Sequence, residues 1–226
     1  MGPPPVFGRP PPPPPPDRVL DLGCGTGIST RLLAEHGLDV FGMDPNEDML
    51  ALAREQGGPT YVKGEATATG LPPQSVGLVT VAQAFHWFPV QETMAELRRI
   101  VRRGGCVAAF WNIRAETPFM MAYEALLRDK SKDYEKVPRF EDTLVAILRS
   151  PHLSRIARKE FANSQTLDRE GLHGRAWSSS YVAHGVVGDD ARREFDAALD
   201  ALFDRFAEDG RVTFQYRSLA GVVRFG

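Results

Sequence analysis

Three glycines at alternate positions, Gly23, Gly25 and Gly27, stand directly behind the apolar run Val19-Leu20-Asp21-Leu22. Glycine lets a backbone turn sharply and lets a ligand lie against the main chain. A loop of this kind between a strand and a helix reads as a nucleotide-binding turn at the carboxyl edge of a sheet. Asp44 closes the next apolar run, where a carboxylate can accept hydrogen bonds from both hydroxyls of a ribose. Asn46, rather than Asp44, has the position of a helix cap. Glu65, in Gly64-Glu65-Ala66, follows the third apolar run, where it could accept from an adenine amino group. His86, in Phe85-His86-Trp87-Phe88, is a candidate general base, because imidazole titrates near neutral pH. Phe85, Trp87 and Trp111 could line an acceptor pocket or face a cation, with plain core packing an equal alternative. Arg114 could pair with an acidic ligand.

The loop must be distinguished from a dinucleotide fingerprint, which is G-x-G-x-x-G with a pyrophosphate on the helix N-terminus. Here the third glycine comes one residue early, and no helix-packing glycine follows. Asp21, just before the loop, suits a cationic amino group better than a phosphate. These details favour a nucleoside with an amino-acid tail, S-adenosylmethionine, over a nicotinamide dinucleotide.

The elements that must position these residues follow from the apolar pattern. Val19–Leu22, Leu38–Met43, Thr60–Lys63, Val76–Ala82 and Cys106–Trp111 read as five strands, the fourth without polar alternation, as for a strand covered on both faces. Between them, helical spacing puts Ile28, Leu32 and Leu33 on one face and Met49, Leu52 and Ala53 on another. A third helix starts near Pro89, carries the stripe Val90, Met94, Leu97 and Val101, and stops at Gly104-Gly105. Strands alternating with helices imply right-handed crossovers and a parallel sheet. In the second half, Phe119–Leu127, Glu141–Arg149 and Ala191–Ala207 are predicted helices. Ser154–Leu167 is predicted to contain a strand, and Arg211–Phe225 reads as a hairpin about Ala220-Gly221.

The run VLDLGCGTG (19–27) resembles motif I of the class I S-adenosylmethionine-dependent methyltransferases, and D-P-N-x-x-M-L-x-x-A-R (44–54) resembles their second motif. Gly64-Glu65-Ala66, AQAFHWF (82–88), the helix ending LRRIVRRGG and FWNIR (110–114) continue the likeness in order. AQAFHWF with W-N-x-R, then SSSY (178–181) and FQY (214–216), is similar to the methyltransferase type 11 subgroup that includes trans-aconitate methyltransferase-like proteins. The resemblance implies an α/β fold: a Rossmann-like, doubly wound seven-stranded sheet in the order 3-2-1-4-5-7-6, mostly parallel, with an antiparallel C-terminal strand. It places Gly23 and Gly25 under the methionine tail of S-adenosylmethionine, Asp21 near its amino group and Asp44 on its ribose. Pro45 and Met49 would wall the adenine, with Glu65 and Ala66 at its edge. Gln83 and His86 would lie near the methionine moiety and the reacting centre. His173, Trp177, Tyr181 and His184 fall in the segment that sets acceptor choice.

Bulk properties are consistent with this reading. The 226 residues carry a formal net charge of −2, so no basic field points to nucleic acid or an anionic membrane. No run approaches the roughly 18 apolar residues of a membrane span, no signal peptide is apparent, and a cytoplasmic location is expected. Two cysteines, Cys24 and Cys106, make no disulfide framework, and no cluster has zinc-ligand spacing. The prolines of residues 1–16 form a low-complexity leader, read as a stiff disordered segment or, alternatively, a ligand for a proline-binding domain. Residues 17–226 are expected to form one domain, with a cofactor-binding half (17–115) and an acceptor-side half (116–226). The expected function is methyl transfer from S-adenosylmethionine to a small-molecule acceptor, with a carboxylic acid as candidate. The alternatives are a non-catalytic S-adenosylmethionine-binding or interaction protein and a nicotinamide-dependent oxidoreductase.

Overall fold

The computed structural model describes residues 18–136 and 140–225, so the proline-rich leader and its binding role lie outside the described residues. Seven strands, β1 (Val19–Leu22), β2 (Val40–Asp44), β3 (Thr60–Lys63), β4 (Val76–Ala82), β5 (Val101–Arg114), β6 (Leu153–Leu167) and β7 (Val212–Phe225), form one sheet. Their order is β3-β2-β1-β4-β5-β7-β6. The first five pair in parallel, and β7 runs antiparallel to both β5 and β6. This is the doubly wound sheet with an antiparallel last strand that the resemblance implied. Helices α1 (Ile28–Glu35), α2 (Glu47–Glu55) and α3 (Val90–Ile100) make the crossovers. The second half adds α4 (Pro118–Lys130), α5 (Phe140–Leu148), α6 (Arg169–Trp177), α7 (Ser180–Gly185) and α8 (Asp189–Phe206).

β1 is buried at every position and β4 at most, as a strand covered on both faces must be. Leu20, Leu22, Val79, Val81, Met94 and Leu97 join β1, β4 and α3 in one core. A second core lies between α4, α6, α8 and β7 and is built on Phe119, Tyr123, Leu172, Phe195, Leu199 and Phe214. Each such side chain contributes on the order of 1.5–3 kcal/mol by leaving water. No helix among the described residues is long and apolar enough to cross a membrane.

Five expectations are corrected. The third helix ends at Ile100, and Val101 is already extended and paired with Val76. Gly104-Gly105 is not a helix stop but part of β5, where the register with β4 shifts. A Cβ on Gly105 would lie 2.6 Å from the Gly77 carbonyl oxygen, so the two strands approach too closely there for any side chain. The C-terminal hairpin is a single strand: Ala220 and Gly221 pair with Phe110 and Ala109 on one side and with Lys159 and Arg158 on the other. The expected apolar face of α1 is turned outward, with Ile28 64 % and Leu32 51 % exposed, because Ser29 and Thr30 face the sheet to bond Asp21. In α2 the buried pair is Leu50 and Ala53, while Leu52 is exposed.

Candidate functional site

The glycine loop is built as a tight turn at the carboxyl end of β1. The amides of Gly23 and Cys24 both donate to the Met43 carbonyl of β2, at 2.8 and 3.1 Å, which locks the turn to the neighbouring strand. Gly23, Gly25 and Gly27 all have positive φ, a region open to glycine and strained for other residues. Their surroundings differ in a way that separates their roles. A Cβ on Gly23 would meet Ala84 and Phe88, and one on Gly27 would fall 2.5 Å from the Tyr61 hydroxyl. These two glycines are needed for packing, Gly23 against the turn after β4 and Gly27 against Tyr61 of β3. A Cβ on Gly25 would meet nothing within 4 Å. Its positive φ and open flank make it the point where a ligand can approach the backbone.

Asp44, at the end of β2, faces the same opening. Its Oδ2 accepts from the Gly25 amide and its Oδ1 from the Asn46 amide, both at 2.9 Å. Each oxygen keeps a lone pair for a further donor such as a ribose hydroxyl. Asn46 caps α2 as expected, accepting from the amides of Asp48 and Met49. Pro45 is exposed and Met49 half-buried beside it, while Glu65 is exposed and Ala66 buried beyond β3. The loop carrying Glu65 and Ala66 is held by Glu96 of α3, whose Oε1 accepts from the Thr69 amide at 2.9 Å and the Thr69 hydroxyl at 2.6 Å. Hydrogen bonds from Arg99 and Thr69 hold the Glu96 carboxyl down to about 2, against the opposing effect of burial.

Asp21 lies behind the loop rather than on its open side. It is fully buried, and its carboxylate accepts from Ser29 at 2.6 Å, Thr30 at 2.7 Å and Thr80 at 2.8 Å. Burial raises its pKa against the lowering effect of these three hydroxyls. Its present contacts tie β1, α1 and β4 together under the glycine turn. Cys24 is a buried thiol pushed up to about 12, chiefly by burial, and therefore inert.

Beyond β4 and β5 a cavity of about 700 Å³ opens. Gln83 and His86 line one part of it, with Trp87 and Trp111. Gln83 is one of three non-glycine residues with positive φ among the described residues, a strain that clusters at functional sites. Its amide donates to the Phe110 carbonyl, which fixes that strained backbone to β5. His86 sits in a short 3-10 turn over Phe85–Trp87, and burial lowers its pKa, so the ring is neutral at pH 7. Arg114, Arg175, Ser179, Tyr134 and Tyr181 line the cavity as well. Arg114, which ends β5, donates to Tyr134 at 2.6 Å and Tyr181 at 2.8 Å.

The fold thus brings the predicted residues into two adjoining groups. Gly23, Gly25, Asp44, Pro45, Met49, Glu65 and Ala66 lie along the ends of β1, β2 and β3; Gln83 and His86 follow β4 at the cavity. Phe85 is a core residue instead. Of the four residues expected in the acceptor segment, Tyr181 alone lines the cavity. His173 and Trp177 are turned to α8, where His173 faces Asp196 and Asp200 and Trp177 donates to Asp196. His184 is exposed. Arg175, Tyr123, Thr80 and Glu96 escape sequence reasoning, because they meet Phe214, Phe214, Asp21 and Thr69, each distant in the chain.

The family model of the methyltransferase domain matches residues 20–109. An uncharacterized methyltransferase of Mycobacterium tuberculosis is 43 % identical over 100 residues, which covers 44 % of this chain and 41 % of that protein. The chain therefore spans less than half the length of that relative. An uncharacterized methyltransferase-like protein of Schizosaccharomyces pombe is 29 % identical over 209 residues, or 89 % of this chain and 80 % of the relative. Among solved structures, a protein of Anaeromyxobacter dehalogenans named as a type II methyltransferase has a TM-score of 0.61 at 25 % identity, covering 91 % of this chain and 86 % of that one. The YcgJ protein of Bacillus subtilis has a TM-score of 0.56 at 18 % identity, covering 93 % and 92 %, a likeness of fold.

Proposed function

We infer, from the match of residues 20–109 to the methyltransferase domain model, that the chain binds S-adenosylmethionine at the glycine turn and transfers its methyl group to a small-molecule acceptor in the adjoining cavity. The observation that carries this reading is the open flank of Gly25 beside the Asp44 carboxylate, next to a cavity of about 700 Å³. That volume is within the range of small-molecule pockets.

When bound, S-adenosylmethionine supplies an electrophilic methyl group on a sulfonium. The chain's own residues supply placement. Asp44 accepts the ribose hydroxyls, Pro45 and Met49 flank the adenine, and Glu65 and Ala66 meet its edge. Asp21 keeps the turn rigid from behind. Gln83 and His86 shape the side of the cavity where acceptor and methyl meet, and such positioning can supply much of the barrier reduction in an in-line displacement. His86, neutral because burial lowers its pKa, can take a proton from a hydroxyl or carbon acid; a carboxylate acceptor needs no base. The acceptor class favoured is a carboxylic acid, supported by Arg114 and Arg175 on the cavity wall, neither of which is ion-paired among the described residues.

The test is transfer of a labelled methyl group from S-adenosylmethionine to a library of small acids, alcohols and amines. Label is expected in the products formed from the acids. A chain that binds S-adenosylmethionine yet labels no acceptor contradicts the reading.

A further inference from the structure

The cavity holds three arginines in different situations. Arg128 is exposed and paired, donating to Glu124 at 2.7 Å and Glu135 at 3.1 Å. Arg114 and Arg175 touch no carboxylate among the described residues. Arg114 gives both terminal nitrogens to phenols, those of Tyr134 and Tyr181. Arg175 gives Nη1 to the Ser179 hydroxyl at 2.9 Å. The two guanidiniums rest on one aromatic platform. Arg114 lies 5.6 Å from the centre of the Tyr123 ring and Arg175 6.0 Å from that of Phe214, and these two rings meet edge to face at 5.0 Å. The Tyr123 hydroxyl lies in the field of both cations, is buried, and has no hydrogen-bond partner among the described residues. Both guanidiniums are half-buried, and Arg114 also lies in the field of Glu124; a partly desolvated cation whose direct hydrogen bonds go only to hydroxyls gains from a further anion. An anion placed before this platform is attracted by both cations.

We propose that Arg114 and Arg175 form the seat for a carboxylate of the acceptor, and that this carboxylate anchors the acceptor instead of receiving the methyl group. The second half of this statement rests on the methyl-transfer reading; the first does not. A carboxylate held by two guanidinium forks has its lone pairs and its charge engaged, which makes it a poor nucleophile. The group to be methylated belongs at the Gln83–His86 side of the same cavity. The acceptor therefore carries two functions: an anchoring carboxylate at one end and a nucleophile, such as a second carboxylate or a hydroxyl, at the other. The planar forks match the two oxygens of a carboxylate. Glu124, Glu135 and Glu141 also line the cavity, and their charge disfavours a phosphate, which concentrates up to two charges on one group, more than a single carboxylate.

The test is calorimetric titration of the full chain, with and without S-adenosylhomocysteine. The ligands are dicarboxylates from malonate to adipate, their monomethyl and dimethyl esters, and inorganic phosphate. At least one dicarboxylate and its monomethyl ester are expected to bind, and the dimethyl ester is not. In Arg175→Gln, a half-buried position whose fold is checked by thermal melting, both affinities fall about tenfold or more while that for S-adenosylhomocysteine is unchanged. Arg175→Lys keeps the charge and recovers part of the loss. Four results would overturn the seat: no carboxylate bound by wild type, affinities unmoved in Arg175→Gln, equal binding of the dimethyl ester, or a preference for phosphate. A bound dicarboxylate whose monomethyl ester does not bind would overturn the anchoring role. If S-adenosylhomocysteine itself fails to bind, the methyl-transfer reading falls, and the titrations without it still decide the seat.

Discussion

Gly25 and His86 carry the two separable halves of the site. At Gly25 the flank is empty of protein and φ is +53°. The Cβ of a valine there would meet no protein atom within 4 Å, and its left-handed backbone would cost about 1–2 kcal/mol. The larger effect falls on the ligand, because the side chain occupies the approach to the backbone. Gly25→Val is therefore expected to melt only a few degrees below wild type and to lose measurable binding of S-adenosylmethionine in a titration. At His86, burial holds the folded pKa below the ordinary 6.5. A base of this kind is active above that lowered pKa and is lost as the pH falls through it. For an acceptor that must give up a proton, kcat should show an acid limb below pH 6.5. His86→Gln should remove the limb and lower kcat about 10²-fold or more. For a pure carboxylate acceptor the limb is absent and the variant is nearly as active.

At the scale of elements, the loop after β3 depends on α3 through one carboxylate. Glu96 accepts from the Thr69 amide and hydroxyl and from Arg99 at 2.7 Å. Its folded pKa, about 2, lies below the ordinary 4.5. The stabilisation is thus fully present above pH 4.5 and fades as the pH falls toward 2. Glu96→Gln should be less stable than wild type at neutral pH, by about 1–3 kcal/mol, and the difference in denaturation midpoints should shrink on acidification. A difference independent of pH would mean that the charge of Glu96 is irrelevant. The elements were legible where their cues are local. Asn46 announces the start of α2, and the uninterrupted apolar run Val76–Ala82 announces a covered strand. They were misread where a distant partner decides. Gly104-Gly105 looks like a helix stop until Gly77 is seen pressed against it. Ala220-Gly221 looks like a turn until β5 and β6 are seen to continue past it on both sides. Ile28 and Leu32 look like a buried stripe until Asp21 draws Ser29 and Thr30 inward.

For the whole molecule, the cavity lies at the junction of the two cores. The sheet side contributes Gln83 and Trp111, and the α4–α6–α8–β7 side contributes Arg175 and Tyr216. The glycine turn and Asp44 come from contiguous motifs, and so could be found in sequence. The cavity wall joins Arg114 to Tyr134 and Tyr181 across long stretches of chain, which no spacing rule captures. The central claim is that the Gly25–Asp44 opening takes S-adenosylmethionine. Its most direct test is parallel titration of S-adenosylmethionine, S-adenosylhomocysteine and NADH against wild type and Asp44→Ala. Saturable binding of the two sulfur nucleosides is expected, with none of NADH and a loss of about tenfold or more in the variant, as when hydrogen bonds to a charged group are removed. A preference for NADH, or equal affinity in Asp44→Ala, would contradict the claim.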